Sequence, residues 1–258
     1  RFQSRRPRVS RDIYGLYDVV VFHSFGNAMY PEVFNVPDNV PTVWIGWGYD
    51  YYDLISEKSE LLLPRTRQLA RESLSQPTYS SVIDKLKASV NIFVPYRSRK
   101  RAIEKLSFFS PVLPAEYQLV RKARRWRRFP EIAYWNYGTI EDDLLGEFKG
   151  GHIVGKDILV GNSATASCNH LEAFDLIKDV AHSDQGIVVP LSYGDKLYAS
   201  QIKNEGRSRF GERFRPLDDF LSQKDYIAII RRCGYLIMNH KRQQALGNIV
   251  IGLYLGAR

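Results

Sequence analysis

The chain has 258 residues, 44% of them hydrophobic and 25% charged, a composition typical of a globular protein long enough for two domains. No apolar run approaches the ~20 residues that span a bilayer, which argues against a transmembrane helix in this sequence. Two cysteines, Cys168 and Cys233, are too few for a disulfide framework or a cysteine metal cluster and favour a reducing cytoplasm. The sequence starts without Met and ends directly after an apolar run, so we expect a fragment that lacks both ends of a longer chain.

Two short apolar runs in the first fifty residues predict strands, 18–22 and 41–45. Polar loops follow both runs, and open α/β sheets bind their ligands at the carboxyl ends of strands. His23 follows the first run and Asp50 follows the second, so these two side chains are the candidates for a catalytic base. A structural histidine and a packed aromatic turn are the alternatives for these two loops.

Residues 60–90 show helical periodicity, and the run 91–95, which ends in Pro95, predicts a strand. The formal charge of +9 is concentrated beyond this run, because residues 97–128 hold eleven Lys or Arg against two Glu. One predicted helix opens with the basic residues 97–101, and a second runs from Pro114 into the most basic stretch.

This basic stretch has tryptophan among its cations, which is typical of a segment that lies on an anionic membrane surface. Nucleic acid would attract the same charges, and a solvated helix face is the third alternative. The predicted membrane-binding residues are Arg121, Lys122, Arg124, Arg125, Trp126, Arg127 and Arg128.

Residues 130–155 read as a connector that contains the acidic triplet 141–143. Acidic side chains are favourable in the first turn of a helix, where they interact with the helix dipole. We therefore interpret the triplet as a helix N-terminus and predict no metal site there.

The clearest functional pattern lies at 156–176, where the apolar run 158–160 predicts a buried strand and Ser167 or Asn169 can cap a following helix. Gly161, Asn162 and Ser163 form the turn between them. A turn of this kind directs unpaired N–H groups and the positive end of a helix dipole towards an anion. Many such units bind nothing, and a single glycine is weaker than a phosphate-binding fingerprint.

Strands and helices alternate through the rest of the chain, with strands predicted at 186–190 and 234–238 and a short extended piece at 214–217. The last of these strands leads into a second polar turn, 239–248, and a helix at 249–255. This alternation predicts an α/β fold with mostly parallel, Rossmann-like sheets, divided into domains 1–150 and 151–258.

Four blocks in the last hundred residues carry a family resemblance: 158–163 (ILVGNS), 169–173 (NHLEA), 189–194 (VPLSYG) and 242–248 (RQQALGN). In their order and spacing they resemble the bacterial TDP-N-acetylfucosamine:lipid II N-acetylfucosaminyltransferases, also called the 4-alpha-L-fucosyltransferase family. Residues 23–25 and 47–50 show a weaker similarity to this family, whereas residues 55–150 show no clear similarity to it.

The resemblance implies a GT-B glycosyltransferase with two Rossmann-like domains that face a cleft. In that arrangement domain 1–150 meets the acceptor and domain 151–258 binds the nucleotide sugar. The donor would be a dTDP-sugar and the acceptor an undecaprenyl-diphosphate-linked saccharide at the cytoplasmic face of the bacterial inner membrane. In enteric bacteria this reaction builds enterobacterial common antigen.

Transfer from a nucleotide sugar releases a diphosphate, whose developing charge the two predicted helix N-termini can stabilise without a metal or another cofactor. The predicted donor-binding residues are Gly161, Asn162, Ser163, Asn169, His170, Tyr193, Arg242, Gln243, Gln244, Gly247 and Asn248. Two other classes stay open: a nucleotide-sugar enzyme of GT-B shape with different chemistry, such as an epimerase, and a basic nucleic-acid-binding protein. The glycosyltransferase hypothesis, which we favour, predicts that the chain binds an anionic membrane surface and does not bind nucleic acid.

Overall fold

A computed structural model describes residues 10–75, 93–135 and 138–258, which form two compact units. Of these residues, 10–57 and 93–135 build the first unit, and 58–75 and 138–258 build the second. The strands are β1 (Val20–His23), β2 (Thr42–Ile45), β3 (Phe108–Ser110), β4 (Glu131–Ile132), β5 (Asp157–Val160), β6 (Ile187–Pro190), β7 (Phe214–Leu217) and β8 (Cys233–Ile237). The α-helices are α1 (Arg11–Tyr14), α2 (Tyr30–Val33), α3 (Tyr52–Ile55), α4 (Pro64–Ser75), α5 (Phe93–Lys105), α6 (Pro114–Ala123), α7 (His170–Ile177), α8 (Lys196–Phe210), α9 (Gln223–Arg232) and α10 (Leu246–Leu255).

The first unit contains a parallel four-stranded sheet in the order β1-β2-β3-β4. All four residues of β2 are buried, as expected for a central strand covered on both faces. Its core is rich in aromatic side chains, and the rings of Trp44 and Phe109 stack with their centroids 4.1 Å apart. Aromatic rings bury large apolar areas, so they supply much of the stabilisation of this unit.

The second unit contains a parallel sheet in the order β7-β6-β5-β8. Alternate residues of β5 enter different cores: Ile158 and Val160 pack with α7 and α8, whereas Leu159 packs with α9 and α10. Helices therefore cover both faces of this sheet, which explains why β5 and β6 are continuous apolar runs.

The helix α4 lies far from the second unit in sequence but belongs to it in the structure. The buried Asn169 accepts a hydrogen bond from the N–H of Leu63 through its Oδ1 atom at 2.8 Å. Glu172 on α7 accepts from the N–H groups of Arg65 and Thr66 at 2.8 and 3.0 Å, and from the Thr66 hydroxyl at 2.6 Å. These contacts satisfy N–H groups of the first turn of α4, which have no partner within the helix.

Most of the predicted strands are confirmed, including those at 41–45, 186–190 and 234–238. The extended piece predicted at 214–217 forms the strand β7. The predicted strand at 91–95 is wrong where the structure describes it, because residues 93–95 begin α5 and proline is tolerated in the first turn of a helix. Of the helical region 60–90, residues 64–75 are helical, and 76–92 lie outside the described residues.

Two short strands were not predicted from the sequence, and the end of one helix was predicted too late in the chain. The strands β3 and β4 have three and two residues, too few for a periodic pattern. The basic helix ends at Ala123 rather than at residue 128, since the chain becomes extended at Arg124. The acidic triplet 141–143 does begin a helical turn, in which the Thr139 side chain accepts from the N–H of Asp142.

We expect Glu172→Ala to loosen α4 while the sheet of the second unit stays intact. Loss of a cap costs about 1–2 kcal/mol, so local opening should rise about 5- to 30-fold. Amide hydrogen exchange measured by mass spectrometry over 62–75 and over β5–β8 provides the test. The exposed Glu212→Ala is the matched control, and equal exchange over 62–75 in variant and parent would show that Glu172 does not hold this segment.

Candidate functional site

Three loops converge at the carboxyl edge of the second sheet: 161–169 after β5, 191–195 after β6 and 238–245 after β8. The chain builds β5, β6 and β7 outwards in one direction and then returns to add β8 on the other side of β5. Ligands of open α/β sheets bind where the strand order reverses in this way, outside the carboxyl ends of the strands. The gap between the loops after β5 and β8 is therefore the candidate site.

The first of these loops depends on a glycine. Gly161 has φ +68°, and its N–H donates to the carbonyl of Ile237 on β8 at 2.9 Å. A Cβ atom at this position would lie 2.8 Å from Nε2 of His170, so a side chain would displace the imidazole. His170 is fully buried with Nδ1 3.1 Å from the Tyr198 hydroxyl. Burial, with a smaller effect from His240, lowers the pKa of His170 to about 3, so its imidazole is neutral at pH 7.

Asn162 joins the three loops through its side-chain amide. Its Nδ2 donates to the Tyr193 hydroxyl at 2.7 Å, and its Oδ1 accepts from Gln244 Nε2 at 2.8 Å. Gln244 also accepts from the Ser167 hydroxyl at 2.7 Å through Oε1. The structure thus brings together Asn162, Tyr193 and Gln244, which the sequence analysis named from separate blocks.

Other predicted donor-binding residues are committed to contacts within the chain. Asn169 is buried with φ 50°, and its Nδ2 donates to the carbonyl groups of Asn239 at 2.9 Å and Leu61 at 3.2 Å. Ser163 is buried with its hydroxyl 2.9 Å from that of Thr165. This geometry gives both residues a role in shaping the loop rather than in reaching a ligand.

The loop after β8 ends in a strained turn. Ala245 has φ 60°, a conformation that costs a residue with a Cβ about 1–2 kcal/mol. Around the Cβ position of Gly247 there is open space out to 4 Å, whereas the Asn248 side chain donates to the Tyr226 hydroxyl at 2.8 Å. Arg242 and Gln243 are half-buried in the same loop.

The four long helices of the second unit's sheet differ at their N-termini. Asp195 caps α8 by accepting from Tyr198 N–H, and Ser222 caps α9 by accepting from Asp225 N–H. In the described part of the chain, α7 and α10 have no side-chain cap, although Asn169 occupies the cap position of α7. Their positive dipole ends lie at the candidate site, where an anion would be stabilised.

The two candidate bases of the first unit have different surroundings. His23 is exposed at the end of β1. Asp50 is buried, and its carboxylate accepts three hydrogen bonds at 2.8 Å, from Phe25 N, Trp44 Nε1 and Trp47 N. Because both oxygens are occupied by N–H donors, the structure favours a loop-holding role for Asp50 over a catalytic one.

The basic segment is exposed except for its tryptophan. The exposed cations are Arg121, Lys122, Arg124, Arg125, Arg127 and Arg128. Trp126 instead packs on Phe129, with ring centroids 5.2 Å apart, and donates from Nε1 to the carbonyl of Arg121 at 3.0 Å. The predicted membrane contact through Trp126 is therefore not supported by its position, because the ring stabilises the unit itself.

The sequence analysis missed the hydroxyl groups that complete the Asn162 network. Ser167 was considered only as a helix cap, and Thr165, whose Oγ1 lies 3.2 Å from Gln244 Nε2, was not considered. The density of small polar residues in 162–169 was the available signal. Within the described ranges, no group of three His, Cys, Asp or Glu side chains is placed to hold a metal ion, and no helix has the length and apolar character to cross a membrane.

Comparison with known structures finds a protein of similar fold. The crystal structure of an alpha,alpha-trehalose-phosphate synthase (UDP-forming) from Burkholderia vietnamiensis is similar, with a TM-score of 0.53 and 11% sequence identity over 94% of this chain. The chain spans 57% of the length of that synthase, and at this identity the likeness concerns the fold alone.

The sequence similarity is more specific. Residues 149–257 match the model of the family described as 4-alpha-L-fucosyltransferase glycosyl transferase group 56, which supports the predicted family over this part of the chain. The family that matches this part of the chain is a glycosyltransferase family. The predicted α/β fold with parallel sheets is confirmed.

We expect Asp50→Ala to destabilise the first unit by about 3 kcal/mol or more, because three N–H groups would lose their acceptor. All four tryptophans, Trp44, Trp47, Trp126 and Trp135, belong to this unit, so tryptophan fluorescence during denaturation reports on it alone. The exposed Asp18→Ala is the matched control. An unchanged denaturation midpoint combined with lost transfer activity would instead return Asp50 to a catalytic role.

Proposed function

We propose that this chain is a GT-B glycosyltransferase that moves a deoxy-amino sugar, such as N-acetylfucosamine, from a dTDP-sugar to a lipid-diphosphate-linked saccharide. The pathway would be the synthesis of a bacterial surface polysaccharide of the enterobacterial common antigen type. The observation that carries the proposal is the pair of helices, α7 and α10, that begin without side-chain caps at the reversal of the second sheet. The family match over 149–257 supports the sugar class.

The leaving group of this reaction is a nucleoside diphosphate, which gains negative charge as the glycosidic bond breaks. N–H groups that are already oriented towards that charge lower the barrier because they need no reorganisation. The open space beside Gly247 allows close approach of the diphosphate to the backbone. We propose that these helix N-termini act without a metal ion or another cofactor.

The acceptor hydroxyl needs a group that removes or positions its proton. Asp50 is engaged by three N–H donors, which leaves the exposed His23 as the proposed base in the first unit. The carboxyl end of β1 is a position at which α/β sheets commonly present functional groups.

We propose that the basic segment 121–128 holds the enzyme on the cytoplasmic face of the inner membrane as a peripheral protein. Its exposed cations lie next to Leu119, a side chain on α6 that is 49% exposed. Basic residues near an anionic surface contribute ~1 kcal/mol each, and an exposed leucine can add apolar burial in the interface. In this proposal the apolar contact with the membrane interface, which was predicted for Trp126, is made by Leu119.

We expect dTDP to stabilise the second unit in the presence of EDTA, by about 2.7 kcal/mol at a concentration of one hundred times Kd. Hydrogen exchange over β5–β8 measures the effect. Gly247→Val should weaken the effect strongly, because its side chain would occupy open space where we place the diphosphate.

Gly26→Val is the matched control, since Gly26 also faces open space but lies in the first unit. Protection that requires Mg²⁺ or Mn²⁺ would contradict the metal-free proposal.

A transfer assay with dTDP- and UDP-sugars and a lipid-diphosphate acceptor separates transfer from epimerisation, because an epimerase would change the donor without consuming the acceptor.

We expect the triple charge reversal of Arg124, Arg125 and Arg128 to glutamate to reduce binding to anionic liposomes by tenfold or more, given ~1 kcal/mol per cation. Affinity for dTDP should change little, since these arginines belong to the first unit and the candidate site belongs to the second. Reversal of three exposed cations in the second unit, Lys178, Arg207 and Lys224, is the matched control. Equal loss in both variants would assign the binding to net charge rather than to this segment.

A further inference from the structure

The hydrogen bonds of the Asn162 network run in one direction. The Ser167 hydroxyl donates to Gln244 Oε1 at 2.7 Å, and Gln244 Nε2 donates to Asn162 Oδ1 at 2.8 Å. Asn162 Nδ2 then donates to the Tyr193 hydroxyl oxygen at 2.7 Å. Gln244 and Asn162 each accept a hydrogen bond through the amide oxygen and donate one through the amide nitrogen, so the donors all point from Ser167 towards Tyr193.

The direction of these hydrogen bonds determines which further hydrogen bond the Tyr193 hydroxyl can make. A phenol has one proton to donate and accepts through its oxygen lone pairs. Asn162 donates to this oxygen and the Ser163 side chain also hydrogen-bonds to it, so the phenol proton is the part of the hydroxyl left to bind an acceptor. Burial raises the pKa of Tyr193, so the proton is retained at pH 7. The residue is nevertheless 53% exposed, so a ligand in the site can reach it.

We propose that Tyr193 donates its hydroxyl hydrogen bond to a diphosphate oxygen of the donor nucleotide, and that Gln244 is a positioning residue that orients Tyr193 through Asn162. The identity of the ligand rests on the proposed function. A chain of aligned donors is strengthened cooperatively and ends in a partial positive charge. An anionic oxygen is the acceptor that forms the strongest bond with such a donor.

The same contacts show why Gln244 acts indirectly. Its Oε1 accepts from Ser167, and its Nε2 donates to Asn162 and lies 3.2 Å from Thr165 Oγ1. Both ends of the amide are thus engaged by the loop after β5. Gln244, one of the predicted donor-binding residues, is connected to the Tyr193 hydroxyl by two hydrogen bonds through Asn162.

The test measures binding of dTDP, thymidine and inorganic pyrophosphate by calorimetry. Tyr193→Phe keeps the aromatic ring and removes the donor, so dTDP and pyrophosphate should bind about 10- to 100-fold more weakly, the range for a hydrogen bond to a charged group. Thymidine, which has no phosphate, should bind equally to variant and parent. Tyr254→Phe is the matched control, because its hydroxyl also accepts an N–H, from Gly150, at the far end of α10.

The role of Gln244 is tested by a double-mutant cycle. Gln244→Ala should weaken dTDP binding in the parent but have little further effect in Tyr193→Phe, because the two residues act through one hydroxyl. A general structural role for Gln244 would instead lower thymidine and dTDP binding alike in both backgrounds. Melting temperatures of all variants show whether each one is folded.

Several results overturn the proposal. Parental dTDP affinity in Tyr193→Phe would show that the hydroxyl does not contact the diphosphate, and additive effects in the cycle would separate Gln244 from Tyr193. If the parent binds pyrophosphate but neither dTDP nor UDP, the proposed function fails, and the pyrophosphate affinity of Tyr193→Phe alone decides this inference. If the parent binds none of these probes, both are wrong.

Discussion

The side-chain amide of Asn162 is the contact on which the candidate site depends. It joins the loops after β5, β6 and β8 through hydrogen bonds to Tyr193 and Gln244 of 2.7 and 2.8 Å. Tyr193 is 31 residues and Gln244 is 82 residues away from Asn162 along the chain, and the parallel pairing of β5 with β6 and β8 brings the three loops together. An amide can both donate and accept, which no carboxylate at this position would do at pH 7.

The second unit uses its polar side chains in two different ways at the same sheet edge. Asn169 and Glu172 face inwards and satisfy N–H and carbonyl groups of the segment 61–66. Because these side chains are occupied, they do not cap α7. Under the proposed function, a phosphate takes the place at the start of α7 that Asp195 takes on α8 and Ser222 on α9.

The sequence predicted the parts of this fold in which local pattern and burial agree. The continuous apolar runs of β5 and β6 were recognisable because both faces of the sheet are covered. The strand predicted at 91–95 was wrong for residues 93–95, because an apolar run that ends in proline is compatible with the start of a helix as well as with the end of a strand. In the site, residue types located the turns correctly. The direction of each hydrogen bond, and the capture of Asp50 by three N–H groups, depend on tertiary contacts that no spacing encodes.

Backbone strain in the described residues falls at the same sheet edges as the polar loops. Ser24, Asn169 and Ala245 are the non-glycine residues there with positive φ, and each lies beyond the carboxyl end of a strand. For Asn169, buried hydrogen bonds offset the cost of this conformation. Ala245 has no polar side chain for such compensation, so its strain is held by the loop around it, including Gln244. A network that binds Gln244 therefore also fixes the entry into α10, and with it the direction of that helix's first N–H groups.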